Sequence, residues 1–363
     1  MRNRAFHALR TFAVCACLSV CAAATKAAPI RAAKEMNPAA SGSLPPQEQS
    51  KDKKKEKKDK PVTVPEAELK AAKAIEAAAD VPATLAAANE FLQKYPKSPL
   101  RPQIAPLVAD RIGQIKDPAD RIAQSESYLK LFDAPGDVEL VNSHLLSAYT
   151  EANRLDQAFA LAPAAIDKSP DPMAAMINLS RAGVNEARSQ NLKYAAQSRQ
   201  MALKAIALLE GNRKPETVSD ATWNDYKTRW HGQLYQWLAM LSLAEGDKAD
   251  TKTKLASAIK LNPHDPVSYL LLSTMANDEY QRLAQAHKAA AAGAEKDALL
   301  KQAEAQMDEV IDAYAHAVAL TEGDAQYDTM RAGLRADLES YYKYRHRNST
   351  DGLQALIDKY KKR

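Results

Sequence analysis

The sequence predicts an all-α chain assembled from helix pairs, and three observations predict it. From Pro65 to the C-terminus no apolar/polar alternation of period two stands between turn signals. Ala, Leu, Lys, Gln and Glu dominate this stretch, whereas Gly is sparse, 11 in 363 residues. Apolar residues recur at three- and four-residue steps, as in Leu203, Ile206, Ala207 and Leu209. Roughly 300 residues of helix exceed one compact bundle, which turns attention to internal repeats.

The chain opens "MRNRAFHALRTFAVCACLSVCAAATKAAP". Arg2, Arg4 and Arg10 form a basic start, and the uncharged run from Thr11 to Thr25 is, at about 15 residues, too short to span a bilayer. Ala22-Ala23-Ala24 fits the small-x-small cleavage rule. Residues 1–24 therefore read as a secretory signal peptide, which places the mature protein outside the cytoplasm, periplasmic or secreted. All three cysteines (Cys15, Cys17, Cys21) fall inside it, so the mature chain has no disulfide, thiolate nucleophile or cysteine metal site. "LSVC" resembles the bacterial lipobox, with Val20 departing from its preference for a small residue. Lipidation of Cys21, giving an envelope-anchored lipoprotein, stands as the alternative to cleavage near Ala24.

Residues 1–60 carry 13 Lys/Arg against 5 Asp/Glu, which leaves 37 against 40 for the remainder. The formal +5 of the whole chain is thus an N-terminal property, and the nearly neutral remainder is no nucleic-acid footprint. Residues 25–64, including "SGSLPPQEQSKDKKKEKKDKPVTVPE", have almost no large apolar side chains and are expected to be a disordered, Lys-rich linker. It reads as a solvated spacer, or as a polybasic segment lying on anionic lipid or wall polymer. Residues 65–363 form the helical domain.

Along that domain the punctuation is regular. "FLQKYPKSPL" joins two early helices. "VELVNSHLLSAYTEANRLDQAFALAPAAIDKSPD" carries a pair with Asn153 at its turn and a second helix that contains Pro163. Ser219 is expected to cap a helix running through Trp223, Trp230 and Trp237, whose seven-residue spacing lines one stripe. In "LASAIKLNPHDPVSYLLLS" a helix ends at Leu261-Asn262, Pro263 stops it, and Asp265 caps the next with Pro266 in its first turn. "AQAHKAAAAGAEKDALLKQAEAQ" predicts two helices of extended length turning at Gly293. Asn348 or Ser349 is expected to cap the final helix.

Counted back from Pro263, the chain resembles the tetratricopeptide repeat, a 34-residue helix–turn–helix unit. Tyr235 takes the first large position, Leu238 and Ala239 the Leu-small pair, Gly246 the turn, Leu255 and Ala258 the large and small positions of the second helix. Ser242 and Thr251 depart from the pattern. A second match ends at Pro170, with Leu145, Tyr149, Ala158 and Ala165 in repeat positions. "FLQKYPKSPL" resembles the Phe-x-x-x-Tyr-Pro-x-Ser joint of periplasmic tetratricopeptide proteins, among them accessory proteins of the Tol–Pal system and of outer-membrane protein assembly. The helix pairs at 171–210, 266–320 and 325–360 fit only loosely. The resemblance implies a right-handed α-solenoid with a concave face built by the first helix of each pair, and a protein or peptide partner in that groove. It places Ser143, Ser147 and Thr150 on the face in one repeat and Gln233, Gln236 and Met240 in the other. Leu270, Thr274 and Asn277 follow in the pair after Pro266.

Trp230 and Trp237 read as core. Trp223 and Tyr226 stand before the standard repeat and are expected to overhang the body as ligand-contacting aromatics. The six histidines beyond residue 24 (His144, His231, His264, His287, His316, His346) show no metal-ligand spacing, and His264 reads as a solvent or capping residue. There is no G-x-S-x-G elbow, P-loop or G-x-G-x-x-G, so no catalytic residue, cofactor or metal is implied. The tail cluster of Tyr341, Tyr342 and Tyr344 with Lys343, Arg345, His346 and Arg347 reads as the seal of the last repeat, or as a docking patch for an acidic or glycan partner. The expectation is a non-enzymatic, exported scaffold serving the cell envelope. Its alternative is a glycan-processing enzyme or accessory built on an all-α body. Self-assembly through the Ala-rich pair is a third reading.

Overall fold

A computed structural model describes residues 64–169 and 171–361. These residues are all-α, with no strand among them. The expected signal peptide, Cys21 and the Lys-rich linker up to residue 63 lie outside the described residues. No helix among the described residues is long and apolar enough to cross a membrane. The chain divides into two compact units at Arg154/Leu155, between the two helices of the repeat expected to end at Pro170.

The first unit contains α1 (Glu66–Glu76), α2 (Val81–Lys94), α3 (Arg101–Gly113), α4 (Pro118–Leu131) and α5 (Pro135–Glu151). Helix starts follow from side-chain capping: Asp80 accepts from the Ala83 amide and Asp117 from the Asp120 amide, each with a proline in the first turn. Each helix packs on the next, and α3 packs on both α1 and α5. Ile75, Leu85, Phe91, Val108, Ile112, Tyr128, Phe132 and Val141 share one core. The Tyr-Pro-Lys-Ser joint has a physical basis here, because buried Ser98 donates its hydroxyl to Glu68 Oε2 at 2.7 Å and accepts from the Leu100 amide. Arg111 of α3 donates to the carbonyls of Glu76 and Ala78, neutralising the C-terminal end of α1.

The second unit runs through α6 (Leu155–Asp167), α7 (Pro172–Arg188), α8 (Ala195–Glu210), α9 (Asp220–Asp225), a π-helical turn (Tyr226–Trp230), α10 (His231–Ala244) and α11 (Lys248–Leu261). It continues through α12 (Pro266–Ala289), α13 (Ala294–Thr321), a 3₁₀ turn (Ala325–Tyr327), α14 (Asp328–Arg345) and α15 (Leu353–Lys359). Pro163 lies within α6 at an exposed position. α7 packs on α8, α10 on α11, α12 on α13 and α13 on α14, and α10 also packs on both α7 and α8. Ser219 caps α9 and Asp265 caps α12, as expected from the sequence. Four helices, α5 of the first unit with α7, α8 and α10 of this one, end on a left-handed residue. These are Asn153, Gln190, Asn212 and Gly246, with φ of 55°, 65°, 47° and 83°. At each, two backbone bonds reach back into the last turn, for example Asp247 N to the Ser242 carbonyl and Gly246 N to the Leu243 carbonyl. α12 and α13 are the extended pair, 24 and 28 residues long.

Two expectations are corrected. Trp223 and Tyr226 do not overhang: they are 4% and 0% exposed. The segments that flank α7 and α8 are the reason, since they supply a partner for each ring ahead of α10. The Trp223 indole donates to Asn212 Oδ1 at 3.2 Å, and the Tyr226 hydroxyl donates to Asp171 Oδ2 at 2.8 Å. The cap of the last helix also differs. Gly352, with φ of 86°, occupies that position, while Ser349 Oγ accepts from the Asp351 amide in the preceding loop. Trp230 and Trp237 are core, 5% and 2% exposed, with ring centroids 5.8 Å apart.

Candidate functional site

On α10, Gln236 begins a chain of polar contacts that ends at the start of α12. Its Nε2 donates to Asp265 Oδ2 and, at 3.0 Å, to Ser268 Oγ, while its Oε1 accepts from Gln233. Asp265 also takes the Ser268 amide at 2.9 Å and the Ser268 hydroxyl at 2.7 Å. Burial pushes the Asp265 carboxyl above the usual carboxylate range, against these hydrogen bonds, which pull it down. Gln236 is 3% exposed, and its amide is satisfied inside the fold.

The expected face therefore divides. Gln236, Met240 and Leu270 are buried, the last two at 5% and 1% exposure, and are corrected from groove to packing residues. α10 is covered on more than one side by α7, α8 and α11, so residues counted as facing a groove face neighbouring helices instead. Gln233, Thr274 and Asn277 are half-buried. Asn277 accepts from the Tyr341 hydroxyl at 2.6 Å, and Thr274 donates to the Leu270 carbonyl at 2.9 Å. In the first unit Ser143 is exposed, whereas Ser147 and Thr150 are half-buried. Ser147 donates to Glu151 at 2.7 Å, and Thr150 to the Leu146 carbonyl at 2.8 Å.

A cavity of about 280 Å³ lies at the end of the second unit, and two residues of the tail cluster, Tyr342 and His346, are among its lining. Asp308, Ile311 and Asp312 of α13, Tyr342 of α14, His346 just after α14, and Leu356 of α15 line it. Its chemistry follows from helical spacing, for Asp308 and Asp312 are four residues apart and share one face of α13. Arg345 grips Asp308 with two bonds of 2.8 and 2.9 Å and holds its carboxyl below the usual range. Asp312 accepts from the Tyr360 hydroxyl. His346 stacks on Tyr342 at 4.0 Å, and the Tyr342 hydroxyl donates to the Asp351 carbonyl at 2.7 Å.

Of the tail tyrosines, Tyr341 and Tyr342 pack inward and Tyr344 is 71% exposed. Burial pushes the Tyr341 phenol up to about 12. Among the described residues no group of three His, Cys, Asp or Glu could hold a metal ion. His264 is exposed. The signals that would have found the terminal cavity were present in the Asp308/Asp312 spacing and the tail aromatics, but only their convergence makes a site. Compared with known proteins, the chain matches no family model, no curated protein and no solved structure.

Proposed function

We propose that the chain is an exported, non-enzymatic helical-repeat scaffold of the tetratricopeptide type, a right-handed solenoid of stacked helix pairs that binds a protein or peptide partner in the cell envelope. The observation that carries the reading is the recurrence of one local grammar. Asp80, Asp117, Asp171 and Asp265 each cap a helix with proline in its first turn. Asn153, Gln190, Asn212 and Gly246 each close one in the left-handed region. A unit repeated this way buries its apolar face only by stacking on neighbours, and it leaves a long polar surface for recognition. Each unit is taken by itself: the candidate residues are Ser143, Ser147 and Thr150 in the first and Gln233, Thr274 and Asn277 in the second.

The carboxylate-enzyme reading asks for two facing carboxyls, one of them raised. At the terminal cavity Asp308 is instead held low by Arg345, and the raised carboxyls, Asp265 and Asp337, do not line it. This supports recognition over chemistry.

The test is affinity capture from envelope extract with residues 61–363, beside two double variants, Ser143→Arg/Ser147→Arg and Gln233→Arg/Thr274→Arg. A specific partner lost from one variant, with helicity unchanged by circular dichroism, is the expected result. Identical partners on all three chains would end the reading.

A further inference from the structure

The last helix is attached in an unusual way. α15 has 7 residues, too few to be helical on its own, so its order depends on what it docks against. Leu353 and Ile357 enter the core formed by α13 and α14. Arg335 of α14 donates to Gln354 Oε1 at 2.7 Å, and Lys361 reaches Glu322 at 2.7 Å. Beyond the helix, the Tyr360 ring stacks on His316 of α13 at 3.4 Å between centroids. The other face of His316 stacks on Tyr269 of α12 at 4.2 Å. The imidazole is thus held between two phenol rings, one of which belongs to the terminal segment.

The connection to α14 is bent by three left-handed residues, Arg347, Asn348 and Gly352, with φ of 52°, 68° and 86°. One of them, Arg347, carries a side chain that disfavours this region. The cavity of about 280 Å³ lies beside the segment, with Leu356 as one wall.

We propose that residues 353–361 form a proton-released strap, docked while His316 is neutral and freed when it is protonated, so that release opens the terminal cavity into an apolar surface. Charged and aromatic groups act on His316 from its own helix, from α12 and from the strap. Asp312 lies on its own helix, 3.9 Å from Nδ1, and favours the charged ring. Lys359 of the strap opposes it, and Tyr269 and Tyr360 supply the stacking faces. Arg335 and Arg331 of α14 are spent on Gln354 and on the Thr321 carbonyl. Burial dominates and lowers the imidazole below its ordinary value. The docked state therefore prefers the neutral ring. Strap docking is fully present above the free-histidine value of about 6.5, and it is lost as pH falls from there through the docked value. Departure removes Tyr360 and Leu356, returns His316 to water and uncovers Ile311, Leu338 and Tyr342.

Hydrogen exchange on the full chain, corrected for intrinsic rates, tests this between about pH 7.5 and about pH 5.5. Protection of amides 354–360 should fall by up to roughly tenfold per pH unit below about 6.5, the limit for one titrating site, while amides 307–320 of α13 hold theirs. His316→Phe should keep the stack and abolish the pH dependence, and His316→Gln should also abolish it should the larger ring perturb packing. Tyr360→Leu should leave the strap poorly protected at every pH. Overturning results are protection independent of pH, protection that rises on acidification because the imidazolium is gripped by the two tyrosines, or an unchanged fall in His316→Phe.

Discussion

Replacing Gly183 by alanine sets helix propensity against packing, and the structure says which wins. Gly183 lies inside α7, where exchange for Ala favours the helix by about 0.8–1 kcal/mol. A Cβ there would stand 1.7 Å from Ser198 Oγ, 2.5 Å from Ser198 Cβ and 3.2 Å from the Tyr194 carbonyl oxygen. The hydroxyl could rotate away, but the Ser198 Cβ is fixed to the α8 backbone, so the helices must part by roughly 1 Å in a close-packed interior. Overpacking of this kind costs about 1–3 kcal/mol. Ser198, fully buried, would also lose its 3.2 Å bond to the Leu179 carbonyl, worth about 1 kcal/mol. Net destabilisation of about 1–3 kcal/mol follows. Gly333 of α14 is the control, because the same exchange meets nothing within 4 Å and should stabilise by up to about 1 kcal/mol. All three tryptophans lie in the unit that holds both glycines, so urea titration followed by their fluorescence reads both variants. If Gly183→Ala proves as stabilising as Gly333→Ala, the α7–α8 crossing is not as close as described. Ser198→Gly in the Gly183→Ala background should recover part of the loss.

Two further outcomes rest on single side chains. Tyr226→Phe removes the 2.8 Å bond to Asp171, the carboxylate that caps α7, and should cost about 1.5–3 kcal/mol in the same urea titration. An unchanged midpoint would mean that Asp171 needs no second donor. Arg345→Gln releases Asp308, whose carboxyl Arg345 holds below the usual range, so the pair stabilises above the free-carboxylate value of about 3.9 and is lost as pH falls through the lower docked value. Asp308 is half exposed, which limits the effect to about 1 kcal/mol or less at neutral pH. The difference between wild type and variant in thermal melts should vanish in strong acid and shrink in high salt, and a constant difference would contradict the ion-pair account.

The fold was legible where one or two adjacent residues decide the backbone. Asp265-Pro266 begins a helix because a carboxylate accepts an orphan amide and proline has none to offer. Asn153 ends one because asparagine tolerates the left-handed region almost as well as glycine. The turn at Gly293 and the length of the pair around it follow from composition alone. The π-helical turn at Tyr226–Trp230 was not legible, since its residues are ordinary helix formers and nothing local announces an extra residue in a turn. The two aromatics before α10 read as display because they stand ahead of the resembled repeat, and the partners that cover them, Asn212 and Asp171, are distant in sequence.

The buried part of the candidate face was illegible for a different reason. A polar residue on a first helix is assigned to the concave face because the consensus repeat leaves that face free. Gln236 is polar yet buried, and its partners, Asp265 and Ser268, lie 29 and 32 residues further along the chain. The side chain that looked like a recognition group is instead a bond between one pair and the next. Burial of a polar group is affordable only when its partner is built in, and that partner belongs to another helix pair, out of reach of a count within one. The terminal cavity is the converse case. Asp308, Tyr342 and Leu356 belong to three different helices, and each has a bland reading by itself. Surfaces made by convergence are therefore the ones to test first, and in this chain the cavity that Leu356 of the strap helps to wall is the clearest of them.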